Sequence, residues 1–101
     1  MLWPVPEVAQ EPEIVLDFWQ ICKSNKRTYH FSGYHNDAGR CSSRIIEFDK
    51  ENLTGKTQSG RIYKLVKDGR GWNRGAASCA AEWFNLNKME YEVVDPDEVK
   101  L

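Results

Sequence analysis

Four residues of metal-ligating type, Cys22, His30, His35 and Cys41, follow one another at spacings of x7, x4 and x5. Thiolate and imidazole are the groups zinc takes in closed tetrahedral sites. The spacing lacks the short Cys-x-x-Cys knuckle, and Cys22 falls on an apolar stripe, so the expectation is a buried thiol with surface histidines and no metal. A second constellation, His35 and Asp37 beside Arg40 and Ser42, holds a base, an orienting carboxylate and a nucleophile. Residues this near on one loop rarely converge, and no nucleophile elbow or phosphate loop accompanies them. We expect no enzyme and no cofactor. The third constellation is "DGRGWNRG", in which Arg70, Trp72, Asn73 and Arg74 stand between Gly69, Gly71 and Gly75. An aromatic platform flanked by guanidinium groups stacks a base or clamps a phosphate. Trp and Arg are equally the residues enriched in protein-binding hot spots, and glycines here expose backbone N–H groups at the start of the following helix. If Trp72 tucks into the core instead, the loop is merely solvated.

These residues need elements to position them. "LWPVP" at Leu2–Pro6 alternates proline with apolar residues and reads as part of an extended arm over residues 1–11, with Trp3 packed on the body. Ile14, Phe18, Ile21 and Cys22 recur at helical spacing after Pro12, which predicts a helix from Pro12 to Lys23. "TYHFSGYH" predicts a strand ending in the loop "HNDAGR", and "SSRIIEFD" a second strand with Ile46 and Phe48 on its core face. "TGKTQSGRIYKLV" is a hairpin turning at Ser59-Gly60, with Tyr63 and Leu65 on one face. "AASCAAEWFNLN" is a helix, and "MEYEVVD" closes the domain as a strand. The expected fold is one α+β domain, residues 1–101: a mainly antiparallel sheet of four to five strands packed with two helices, in the order helix, strands, helix, strand. Phe18, Ile21, Ile46, Phe48, Tyr63, Leu65, Trp83 and Phe84 are its expected single core.

The chain has 101 residues, 41% of them hydrophobic, and a net charge of -1. That size suits one domain, and the longest apolar run, Ile14–Leu16, is far below the ~20 residues of a membrane-spanning helix. No basic start and apolar stretch of a secretory signal opens the sequence, and the three cysteines, odd in number and widely spaced, agree with reduced thiols, so the expected compartment is the cytoplasm. The near-zero net charge conceals an ordering. Residues 1–20 carry -4, residues 21–74 carry +7, and residues 75–101 carry -4. Either the central segment faces an anionic partner, or the acidic ends fold back and neutralise it.

The run "SSRIIEFD", then "TQSGRIYKLV", a helix containing Trp83 and the closing strand "YEVVD" resembles a group of short proteins encoded in bacteriophage and prophage genomes. The shared pattern is a Ser-Gly-Arg hairpin leading into Tyr-x-Leu, and it spans Tyr29 to Asp95. The resemblance implies a mobile-element origin, where small domains bind and block host proteins. The chain departs from the pattern after Val66, where "KDGRGWNRG" replaces a shorter loop.

Two functional expectations follow. The first is a protein-binding module, an inhibitor of a host or defence protein in the manner of anti-CRISPR proteins, acting in the host cytoplasm through Arg70, Trp72, Asn73 and Arg74 with Arg61, Lys64 and Lys67. The second is a nucleic-acid or nucleotide binder using the basic central segment, Lys23, Lys26 and Arg27 included. A pI of about 6.1 and the absence of a recognised module signature favour the first.

Overall fold

The computed structural model describes residues 12–101, and the arm expected over residues 1–11 lies outside them. The elements run β1 (Glu13–Ser24), β2 (Tyr29–His35), β3 (Ala38–Asp49), β4 (Thr54–Thr57), β5 (Ile62–Leu65), α1 (Arg74–Leu86), β6 (Tyr91–Val94) and a 3-10 turn at Pro96–Glu98. About half of the described residues lie in strands; β1 to β5 close into a five-stranded barrel, and β6 is added beside β1. The expected sheet packed with two helices is thereby corrected to a closed barrel with one helix. Parity explains why the closing pair is parallel. Each of β1 to β5 runs antiparallel to the one before it, so the fifth runs in the direction of the first, and β5 pairs with β1 in parallel. Closing the ring removes the exposed edges that an open five-stranded sheet would carry.

The stretch that reads as a helix from Pro12 to Lys23 is β1. Ile14 and Leu16 point into the barrel, and beyond them Trp19 and Ile21 do. Between the two pairs the register against β2 slips by one residue, from Asp17 to Gln20. This bulge changes the phase of the alternation, so that Ile14, Phe18, Ile21 and Cys22 imitate helical recurrence although the chain is extended. Phe18 sits in the slip at φ 46° and its side chain leaves the core for the surface. The outer edge of β1 is then satisfied in three stretches. Glu13–Leu16 pair with β5, Trp19 exchanges backbone bonds of 3.3 Å with Gly69 and Gly71, and Ile21–Ser24 pair with β6.

β3 bulges as well, once against β2 near Ser42 and Ser43 and once against β4 between Ile45 and Glu47. The second bulge is why Ile45 enters the core with Phe48 packed at its margin, while Ile46, a core residue by strict alternation, stays on the surface. Turns obey the sequence more closely. Asn36 and Asp37 take φ of 48° and 62° in a two-residue hairpin turn, so the loop over "HNDAGR" shrinks to that pair and Ala38–Arg40 join β3. Gly60, at φ 91°, closes the β4–β5 hairpin.

One expected core is in fact two. Inside the barrel lie Ile14, Leu16, Trp19, Ile21, Tyr29, Phe31, Ile45, Tyr63, Leu65 and Val94. Outside it, α1 packs on β3 and β2 and buries Ala76, Cys79, Ala80 and Phe84. Small residues bring this helix close: a Cβ on Gly39 would stand 2.3 Å from the Gly75 carbonyl oxygen and 2.8 Å from Cys79 Cβ. Asn73 caps the helix, its Oδ1 accepting the Ala76 N–H at 3.0 Å. Among the described residues no helix is long and apolar enough to cross a membrane.

Candidate functional site

The helix lies over β2 and β3 and meets β1 and β6 only along its margin, where Phe84 touches Tyr91, so the outer sheet face is partly uncovered beside it. A groove of about 170 Å³ opens there. Cys22 and Ser32 of the sheet and Ala76, Ala77 and Ala80 of α1 form its floor; Phe18, Trp72, Tyr91 and Val93 form its walls. Each wall residue has its own structural cause. Phe18 is thrown outward by the bulge, at a positive φ that a bulky L-residue adopts only under strain. Trp72 stands on the glycine-rich loop before α1 and is 69% exposed. Tyr91 and Val93 alternate outward along β6 while Val94 enters the barrel. The Tyr91 ring stacks on Phe84 at 4.3 Å and 15°, which holds it in place. Among the described residues no charged side chain lines the groove.

The seven residues singled out from the sequence do not share one face. Trp72 alone is a wall of the groove, with Asn73 beside it. The Asn73 side chain is occupied as the helix cap, so the N-terminus of α1 already has its hydrogen-bond acceptor. Arg70 is bound by Asp95 at 2.5 Å, and Lys64 by Glu13 at 3.1 Å. Arg61 is buried, 6% exposed, and does not belong to the exposed strand surface assigned to it with Lys64 and Lys67. Arg74 and Lys67 face solvent. Lys50 pairs with Asp97 at 3.1 Å. Each of these three pairs joins the basic middle of the chain to a described carboxylate of one of its acidic segments, Glu13, Asp95 or Asp97.

The cysteines and histidines separate likewise. Cys22 and His30 face the layer beneath α1, where Cys79 joins them, while His35 points elsewhere with Nδ1 2.9 Å from the Val15 carbonyl oxygen. Among the described residues no three His, Cys, Asp or Glu side chains come together as a metal site. Burial pushes the Cys22 thiol up against a weaker opposing contact to Ser32, and pushes Cys41 well up. Cys79 is raised to about 11 by burial first, with Glu82 adding and Arg40 opposing. Such thiols are poor nucleophiles. His30 lies between the rings of Trp83 and Phe84, at 4.9 and 5.2 Å, and burial holds its pKa below the usual histidine value, against the opposing backbone contacts of Ser42 and Ser43. A neutral imidazole donating from Nδ1 to the Ser42 carbonyl at 2.9 Å, and accepting at Nε2 from the Thr28 hydroxyl at 2.8 Å, satisfies both nitrogens. Ser42 is 1% exposed, and its hydroxyl donates to the Ser43 carbonyl while accepting the Phe31 N–H. It is no accessible nucleophile, and Arg40, the intended neighbour, holds a buried Nη2 without a hydrogen-bond partner.

Phe18, Tyr91 and Val93 escape the sequence reading. The alternation in "YEVV" does place Tyr91 and Val93 on one face, but nothing local reveals that α1 covers so little of that face. No family model, curated protein or solved structure matches the chain.

Proposed function

We propose that the protein is a binding module that docks a partner protein on the groove walled by Phe18, Trp72, Tyr91 and Val93. The observation that carries this reading is the convergence of four exposed apolar side chains from three separate segments on a recess without charge, one of them held outward by a strained backbone. Exposed apolar surface of that kind is costly in water and marks interaction sites. Trp72 supplies the hot-spot anchor, and Phe18 and Tyr91 the surround that excludes water. Blocking a host or defence protein in the cytoplasm is the role that the phage-protein resemblance adds to this reading. The nucleic-acid reading fares less well, because Lys50, Lys64 and Arg70 are each held by a carboxylate from the chain's ends, which interrupts a phosphate-binding face.

The test is affinity capture from host lysate with the wild-type chain, Trp72→Ala, and the pair Arg70→Ala with Arg74→Ala. We expect the captured protein to be lost with Trp72→Ala and retained by the arginine pair. Binding to random DNA or RNA that weakens by about 0.9 log units per log salt for each phosphate contact, with no protein captured, would replace the reading with its rival.

A further inference from the structure

We infer that the partner reaches this groove as an extended segment that adds to the free edge of β6 and whose residues alternate between apolar and basic. The inference rests on the docking reading and goes on to name the geometry and chemistry of the occupant.

β6 is the last strand in the sheet order, paired on one side with β1 through Ile21–Ser24 and, among the described residues, with no strand on the other. Its outer N–H and C=O groups have no backbone partner among the described residues. Edge strands discourage company by lysine, proline, a bulge, short length or charge. The four residues of β6, Tyr91–Val94, lack the first three and rely on length and on the charge of Glu92, which turns away an acidic strand but not a basic one. An added strand would continue the pleat, so every second side chain would lie on the face of Tyr91 and Val93, over the mouth of the groove. The others would fall on the face of Glu92.

Charge selects what those others are. From Glu90 to Glu98 the chain holds five acidic residues and no basic one. Asp95 and Asp97 are already paired with Arg70 and Lys50, and Glu90, Glu92 and Glu98 remain exposed along the edge and the turn that follows. Lys23 stands opposite Glu92 on β1, with its ammonium 5.9 Å from the centre of the Tyr29 ring. A second copy of this chain pairing edge to edge through β6 would set glutamates against glutamates, which opposes a homodimer on this line. A strand with lysine or arginine at every second position meets the carboxylates and places its apolar residues in the groove.

The experiment titrates the full chain with three short peptides and follows backbone amide shifts. One alternates valine and lysine, one alternates valine and glutamate, and one repeats the first with N-methylated valines that cannot pair with a strand edge. We expect the valine–lysine peptide to bind with shifts at Tyr91–Val94 and Trp72, and the other two to bind at least about tenfold more weakly. The double change Glu90→Gln with Glu92→Gln should weaken the first peptide severalfold without altering the fold. Equal binding of the N-methylated peptide, equal binding of the glutamate peptide, or shifts that bypass β6 would each overturn the inference. The docking reading is judged separately: a captured partner lost with Trp72→Ala but indifferent to the glutamine changes would leave that reading standing and remove this one.

Discussion

The barrel interior and the layer outside it are built on opposite plans. Inside, large branched and aromatic side chains such as Phe31, Ile14 and Leu16 are sealed from water on every side. Outside, between α1 and the sheet, the contacts are made by Ala76, Ala80, Cys79, Cys22 and Gly39, with His30 as a buried polar member and Phe84 the only large apolar side chain buried from the helix. The interior is closed by its own strands, whereas the outer face is covered along β2 and β3 and only partly along β1 and β6. Stability is therefore concentrated in the first region and exposed apolar surface in the second. The same β1 serves both, its bulge switching Trp19 inward and Phe18 outward within two residues.

The contrast is broken most directly from the interior. Phe31→Ala should lower the unfolding free energy by about 3–5 kcal/mol, since the ring is fully buried and the closed barrel collapses poorly around a void. Urea unfolding that moves by less than about 1 kcal/mol would deny the barrel its leading part. Overpacking tests the two regions against each other. A Cβ at Gly55 would meet Phe31 Cζ at 2.4 Å inside, and one at Gly39 would meet helix backbone outside. Both alanines should cost about 1–3 kcal/mol. Only Gly39→Ala should also speed labelling of Cys22, Cys41 and Cys79, because it alone lifts the helix from the thiols. Equal labelling rates in the two variants would mean that the layers do not unfold separately.

Acidification sharpens the same comparison, since His30 belongs to the outer layer. Its folded pKa lies below the unfolded value of about 6.5, so below that pH the unfolded chain binds the proton first and folding stability declines. Urea midpoints should fall between about pH 7 and about pH 5, and His30→Gln should flatten the decline. An undiminished slope in that variant would assign the effect to other groups. The smallest effect on stability belongs to the groove. Trp72→Ala should change the unfolding free energy by less than about 0.5 kcal/mol while abolishing capture of the partner. A large loss of stability there would make Trp72 a structural residue.

Composition and local chemistry determined several things unaided: the Ser59-Gly60 hairpin with Tyr63 and Leu65 on one face, the helix before Leu86 with its small-residue stripe, and a glycine-rich loop carrying Trp72, whose exposure only the fold decided. Those features depend on neighbours a few residues away, such as the positive φ at Gly60 or the Asn73 cap. The acidic ends and basic middle were equally plain, but which cation each carboxylate takes depended on where the chain returns. Three matters were decided only in three dimensions. Bulges in β1 and β3 shifted the side-chain period by one residue, which made Ile14–Cys22 look helical and exchanged Ile45 with Ile46. Four antiparallel pairs and one parallel pair closed five strands into a ring, with the stretch expected as the first helix serving as the strand that closes it. The groove arises from the same closure, because α1 lies over two strands of the outer face and meets β6 only through Phe84 on Tyr91, leaving the face between them open. A strand's alternation tells which residues share a face, but only its neighbours in space tell whether that face is covered, and here the uncovered part joins Phe18 to Val93 across 75 positions of sequence.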